Sequence, residues 1–382
     1  MSFQLSGVAA TAADLIRFRS VSRDSNREVS DFVISRLAAA GFEIEPLVYF
    51  DQAGVEKVSI VAARGPGEGG IAYLAHSDVV PADDWHGGGR AAFEAELRGD
   101  RLYGRGACDM KGSIAAALLA AESVDPRLQT APLYFVITSD EEAGMHGAKL
   151  VRDRSKIFRR MVGSGCVGIV GEPTSLRVIH SHKGAFVIHL ISRGESAHSS
   201  SAAGENANDR LFAALPELTE LRRQTEEDPR YRNADFDPPT LTWNWVVRNE
   251  PYAANVKPAR AELQIFLRPM PNVDGRDVID RAREIGAKYG LECNVDEHTD
   301  LLHTPADAPL VQTMLELTGE PRAHTACYAT DGGVLSELAQ LVICGPGDIA
   351  QAHTRDEWIA LDQLAAAARL YAAAFQKGTG VI

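Results

Sequence analysis

The feature that most limits the fold is a change of rhythm along the chain. In the first part, short apolar runs rich in β-branched and aromatic residues, at Lys57–Ala63, Gly70–Ala75, Pro132–Ile137 and Cys166–Val170, alternate with helix-forming stretches. One of these, Glu28–Ala40, is amphipathic; another, Met110–Val124, is almost all Ala, Leu and Ile. Strands that are apolar on both faces and separated by helices predict a covered, mainly parallel sheet. From about Gly184 the order becomes βαββαβ. It runs as strand Ala185–Ser192, helix Ala207–Gln224, strands Thr240–Arg248 and Arg260–Arg268, helix Gly275–Gly290 and strand Leu291–His298, with a polar loop at Thr225–Pro239. That order describes a ferredoxin-like unit able to form its own domain. The run Ala339–Cys344, closed by Gly-Pro-Gly, then returns to the first pattern. The chain therefore reads as α/β, with a mainly parallel sheet built from residues 1–183 and 299–382 and a βαββαβ unit, 184–298, inserted into it.

Composition narrows the partners. A net charge of -13 with no basic tract disfavours nucleic acid and favours small molecules or metal cations. No apolar stretch is long enough to span a bilayer, and the opening residues lack a basic n-region, so a cytoplasmic protein is expected. Five cysteines, Cys108, Cys166, Cys293, Cys327 and Cys344, lie scattered without a CxxC pair, which argues against a disulfide framework and against a thiolate metal site.

Polar residues gather where the expected strands end. His76 follows one strand, Glu141 and Glu142 another, Glu172 a third, and His353 lies in the loop after Ala339–Cys344. Parallel strands present their carboxyl ends along one edge, where α/β proteins bind ligands, so one crevice can receive them all. Singly, each is an ordinary strand-end residue; five together are harder to dismiss.

The stretch Tyr103–Gly112, "YGRGACDMKG", adds Asp109 at the mouth of a helix. Lys111 precedes Gly112, so the order fails the phosphate-loop pattern, and the missing third glycine fails the dinucleotide pattern. Asp109, Glu141, Glu142 and Glu172 in one crevice would repel one another and lose hydration, at several kcal/mol per uncompensated ion. Cations or protons must balance them. Two histidines among carboxylates suit zinc, with cobalt or manganese as substitutes. Three carboxylates and a hydroxide would balance two divalent ions and leave one carboxylate for chemistry.

These residues sit in motifs that resemble the dinuclear zinc aminoacylase and deacylase family, which includes acetylornithine deacetylase and succinyl-diaminopimelate desuccinylase. The matching pieces are His76–Pro81 ("HSDVVP"), "YGRGACDMKG", "SDEEAG" at 139–144, "GEPT" at 171–174, "HKG" at 182–184, "GESAHSS" at 194–200 and "GPGDIAQAH" ending at His353. The resemblance implies a zinc-hydrolase catalytic domain with an inserted lid and dimerisation domain, and two Zn²⁺ per chain. Asp109 would bridge the ions, with His76 and Glu172 on one and Glu142 and His353 on the other. Glu141 would be the catalytic base, and Asp140 structural. Asp78, two residues from His76 and on the same side of an extended chain, is placed to hold its imidazole. His198, from the partner subunit of a homodimer, would stabilise the oxyanion. Asn255, Arg268 and Thr330 would contact substrate, Arg268 gripping a carboxylate.

The implied reaction is hydrolysis of an N-acylated amino acid. N-acetyl-L-ornithine, in arginine biosynthesis, is the first choice. N-acetyl-L-citrulline and N-succinyl-diaminopimelate are the alternatives, and "GPGDIAQAHT" is also similar to acetylcitrulline deacetylase. A catalytically silent metal or small-molecule binder is the reading from another class; a binder would have no need of Glu141.

Overall fold

Four of the apolar runs become neighbouring parallel strands. In the computed structural model, which describes residues 7–86 and 90–381 with the backbone alone at 297–299, these are Leu133–Thr138, Ile71–His76, Val167–Pro173 and Gln340–Gly345, in that spatial order. Ile71–His76 pairs in parallel with the strands on both sides, and Gln340–Gly345 pairs in parallel with Val167–Pro173. The mainly parallel sheet expected from the alternation is present. At one end it is extended by two antiparallel strands, Glu56–Arg64 and then Glu43–Phe50. The outermost was not legible in advance, because its mixed exposed and half-buried residues lack a continuous apolar run.

The helix Lys111–Ser123 lies against this sheet and packs with the helices Gly7–Ile16 and Leu361–Gly378. Most of its residues are buried, which is why its sequence is apolar all round instead of amphipathic. Beneath the carboxyl edge a polar chain crosses these layers. Tyr73 and Ser113 share a hydrogen bond of 2.7 Å, Ser113 and Tyr371 one of 3.0 Å, and Tyr371 donates to the Cys344 carbonyl at 2.9 Å. Burying hydroxyls is tolerable only when they are paired in this way.

Residue contacts divide the chain into two units. One comprises the chain up to Ser181, Leu302–His324 and Thr330 onward; the other comprises His182–Leu301 and Thr325–Ala329. The second unit carries an antiparallel sheet in the order Thr242–Glu250, Arg260–Arg268, Ala185–Arg193, Glu292–Thr299. Its helices Asn208–Glu227 and Arg276–Lys288 share a core with the sheet, to which Leu211, Leu218, Ile188, Leu263, Ile265 and Ala282 contribute. Among the described residues no helix is long and apolar enough to cross a membrane.

Gly171, directly before Glu172, is required by packing. A Cβ there would fall on the Tyr73 hydroxyl and 2.5 Å from Ser113 Oγ, whereas at Gly163 a Cβ meets nothing within 4 Å. Gly171→Ala is expected to destabilise the first unit by roughly 1–3 kcal/mol through overpacking. Gly163→Ala should be neutral or stabilise by up to about 1 kcal/mol. Guanidinium unfolding midpoints of the two variants check this contrast.

Candidate metal centre

The carboxyl ends of the parallel strands deliver the predicted acids and histidines to one place. His76 ends its strand, Glu172 lies within Val167–Pro173, and Glu141 and Glu142 lie in the turn after Leu133–Thr138. His353 reaches back from the segment after Gln340–Gly345, with its backbone in the left-handed region at φ 62°. Two groups of potential ligands result, His76 with Asp109 and Glu172, and Asp109 with Glu142 and His353. Asp109 belongs to both. Its Oδ1 lies 3.1 Å from His76 Nε2 and its Oδ2 3.2 Å from His353 Nε2. Glu172 Oε1 is 3.6 Å from His76 Nε2, and Glu142 Oε1 is 2.9 Å from His353 Nε2.

The orientation of His76 bears on what this cluster can hold. Its Nδ1 is 2.9 Å from the Asp78 backbone carbonyl, which can only accept a hydrogen bond. Nδ1 therefore carries a proton, and in the neutral ring Nε2 turns its lone pair toward the carboxylates. Acceptors facing acceptors are reconciled only by a proton or a metal ion between them. Three carboxylates and two imidazoles with no cysteine form a donor set suited to divalent transition ions. The residues fit two such ions sharing Asp109.

Asp78 works differently from the sequence-based expectation. Its carboxylate lies 3.7 Å from His76 Nδ1, and the backbone carbonyl holds the ring instead. The carboxylate accepts the backbone N–H groups of Glu141 at 3.2 Å and Glu142 at 3.3 Å, and the Ser22 hydroxyl at 2.7 Å. Asp78 thus fixes the turn that presents both glutamates. Asp140 belongs to neither ligand group. It pairs with buried Lys57 at 3.1 Å and accepts the Tyr49 hydroxyl at 2.5 Å, which holds its left-handed backbone at φ 56°.

Charge crowding moves the protons. Burial pushes Glu141 well above the usual carboxylate range; His76 opposes this, while Glu172, Asp331 and Glu142 add to it. Burial likewise raises Glu172 and Glu142. Burial disfavours the His76 cation, but Asp109, Glu172 and Glu141 outweigh it and hold the imidazolium well above its ordinary value. Hydrogen bonds to Asp109 and Glu142 push His353 up to about 10.

Sequence reasoning alone does not single out two acids near this centre, Asp331 and Glu357. Asp331 is buried, accepts a hydrogen bond from Thr138 Oγ1, and is pushed up to about 7, chiefly by burial. Glu357 is also buried and binds the Asp109 loop. Asp331 directly follows Thr330, the neighbour that the family resemblance singled out. Thr330 itself is buried, and its hydroxyl accepts the Gly332 N–H at 3.1 Å, capping the turn that holds Asp331.

The remaining predicted residues lie in the second unit. His198 and Asn255 are brought together there by a two-stranded ladder that pairs His198 with Val256, and the Ser199 amide donates to the Asn255 carbonyl at 2.9 Å. Arg268 ends its strand over the Phe266 ring, with a buried Nη1 that has no hydrogen-bond partner among the described residues.

Comparison with known proteins agrees with this geometry. The sequence profile of Peptidase family M20/M25/M40 matches residues 72–377. Acetylornithine deacetylase of Myxococcus xanthus is 33% identical, covering 95% of each chain, and that of Vibrio cholerae serotype O1 is 32% identical, covering 93% of this chain and 92% of its own. Among solved structures, the M20 family metallo-carboxypeptidase Sso-CP2 of Sulfolobus solfataricus superposes with a TM-score of 0.74 at 18% identity, over 98% of this chain and 99% of its own. The YXEP protein of Bacillus subtilis, a dinuclear metal-binding peptidase of the same family, gives 0.65 at 14% identity, over 98% of both chains. The chain belongs to the M20/M25/M40 peptidase family. It is a metal-binding hydrolase acting on amide bonds.

Because His76 and His353 hold protons in the metal-free protein, a metal ion must displace them in order to bind. Adding zinc to metal-free protein near neutral pH is expected to release on the order of one to three protons per chain. Calorimetric titrations in buffers of different ionisation enthalpy should give heats that differ accordingly. Identical heats would contradict the assigned protonation.

Proposed function

We propose that the protein hydrolyses the amide of an N-acetylated amino acid, N-acetyl-L-ornithine in the first instance, using two zinc ions per chain. The observation that carries the reaction is Asp109, whose two oxygens face His76 and His353 separately, with Glu141 in the adjoining turn. In this reading His76, Asp109 and Glu172 would hold one ion, and Asp109, Glu142 and His353 would hold the other. When bound, the ions supply Lewis acidity at the scissile carbonyl and make water a stronger acid.

The residues of the chain supply the rest. Glu141 takes a proton from the attacking water as its oxygen bonds to the carbonyl carbon. It returns that proton to the nitrogen as the C–N bond breaks, releasing acetate and the free amine. Asp78 keeps Glu141 and Glu142 in register through their amides.

The choice of acetylornithine is supported by the acetylornithine deacetylases that match this chain over nearly their whole length. Arg268, with a buried nitrogen that has no partner among the described residues, is suited to a substrate carboxylate. Asn255 and Thr330 belong to the proposed substrate contacts. The reaction would yield ornithine for arginine biosynthesis. A homodimer is part of the proposal: Thr242–Glu250 is an edge strand that exposes Val246 and Val247, a surface a second copy can cover. His198 of the partner subunit would then donate to the oxyanion.

Three measurements test this reading. Compared by kcat/KM, N-acetyl-L-ornithine should be cleaved faster than N-acetyl-L-citrulline and N-succinyl-diaminopimelate; a clear preference for the succinyl substrate would reject the assignment. Glu141→Gln should retain both ions and lose roughly two to four orders of magnitude in kcat. Glu142→Gln should weaken metal binding first, and the reverse pattern would exchange their roles. Finally, His198→Ala and Glu141→Gln chains, each nearly inactive, can be unfolded together and reassembled in equal amounts. A shared site predicts recovery of roughly a quarter of wild-type activity per chain, since about half the dimers are mixed and each holds one working site. No recovery, with mixed dimers shown to form, would place His198 in its own chain's chemistry.

A further inference from the structure

Glu357 has no part in the chemistry assigned above, yet it is only 1% exposed and every polar contact of its side chain runs to one loop. Oε1 accepts the backbone N–H groups of Cys108 at 2.8 Å and Asp109 at 2.9 Å. Oε2 accepts the Gly106 N–H at 2.8 Å and Arg105 Nη1 at 2.9 Å. Three amides turned toward one anion form a backbone nest. The enclosure is tight: Arg105 is also 1% exposed and sends Nη2 to the Pro81 carbonyl at 3.2 Å, while the Glu357 carbonyl accepts the Gly104 N–H at 3.0 Å.

The loop so gripped ends at the residue common to both ligand groups. The direction of the Asp109 N–H and the placement of its Cα are coupled through one rigid peptide plane. A carboxylate holding that N–H therefore also sets where the Asp109 side chain starts. Its oxygens must each come within reach of a different histidine, 3.1 Å from His76 and 3.2 Å from His353, a tolerance finer than an untethered glycine-rich loop would maintain. We propose that Glu357 is a positioning residue that aims Asp109 at both metal ions; the inference rests on the two-ion reading given above.

The side-chain chemistry makes the isosteric change informative. In Glu357→Gln one oxygen becomes an NH₂ group, which must face either the Cys108 and Asp109 amides or the Gly106 amide and Arg105. Either orientation sets donors against donors at constant volume. Asp109 loses its fixed direction while His76, Glu142, Glu172 and His353 stay intact.

The test measures zinc affinity by competition with a chromophoric chelator, on protein whose folding is verified by circular dichroism. Wild type should bind two ions. Glu357→Gln should bind both about 10- to 100-fold more weakly, because Asp109 is shared. Val33→Ala, a cavity in the distant helix Arg27–Ala39 that lowers the thermal midpoint, should leave both affinities unchanged. If Glu357→Gln does not fold, Arg105→Lys is measured the same way and should show a smaller loss in the same direction. Folded Glu357→Gln with wild-type affinity at both sites overturns the inference, as does an unchanged Arg105→Lys or an equal loss in Val33→Ala. A wild-type chain that takes up no zinc overturns the two-ion reading itself, and is seen before any variant is compared.

Discussion

Everything around the centre answers one electrostatic demand: Asp109, Glu141, Glu142 and Glu172 are held at one sheet edge, where burial disfavours each of them as a free anion. Asp109 is the pivot, because its two oxygens are committed to His76 and His353 on opposite sides. A group of carboxylates this close is stable only with protons or cations among them. The raised proton affinities of Glu141, Glu142, Glu172, His76 and His353 express that demand among the side chains themselves. Divalent ions satisfy it in another way, and the same residues are thereby both the problem and its ligands.

The acids are aimed through the backbone more than through side-chain packing. Asp78 gathers the amides of Glu141 and Glu142, and Glu357 gathers those of Gly106, Cys108 and Asp109. Each uses a buried carboxylate to fix a turn whose φ and ψ would otherwise be free, and turns are where functional groups leave the sheet. Lys57 and Tyr49 do the corresponding work for Asp140 from the neighbouring strands. Removing such a supporting carboxylate would free several amides at once.

The second unit contributes a different kind of chemistry. Its sheet and two helices enclose a core of their own, and the polar residues singled out there, His198, Asn255 and Arg268, lie on a short ladder and at a strand end. Arg268 keeps a buried nitrogen without an acceptor among the described residues, a cost that binding an anion would relieve.

Sequence alone determined the elements whose signals are local. The runs before His76, Glu141 and Glu172 could be read as buried strands because both faces are apolar, and parallel pairing then required their ends to share an edge. The same periodicity marked the βαββαβ order, and the family resemblance implied His76, Asp109, Glu142, Glu172 and His353 as ligands. The antiparallel strand Glu43–Phe50 escaped because a half-exposed edge has no continuous apolar run. What only the tertiary structure decided is which polar groups satisfy one another. That the carbonyl of Asp78 holds His76 while its carboxylate serves the next loop depends on atomic directions within a turn. That Glu357 grips Asp109 from 248 positions away, and that Asp331 meets Thr138 from 193 away, depends on how the chain returns to the same edge. A periodic pattern records burial residue by residue, but a hydrogen bond needs a partner at a set distance and angle, and for distant segments only the folded backbone supplies that.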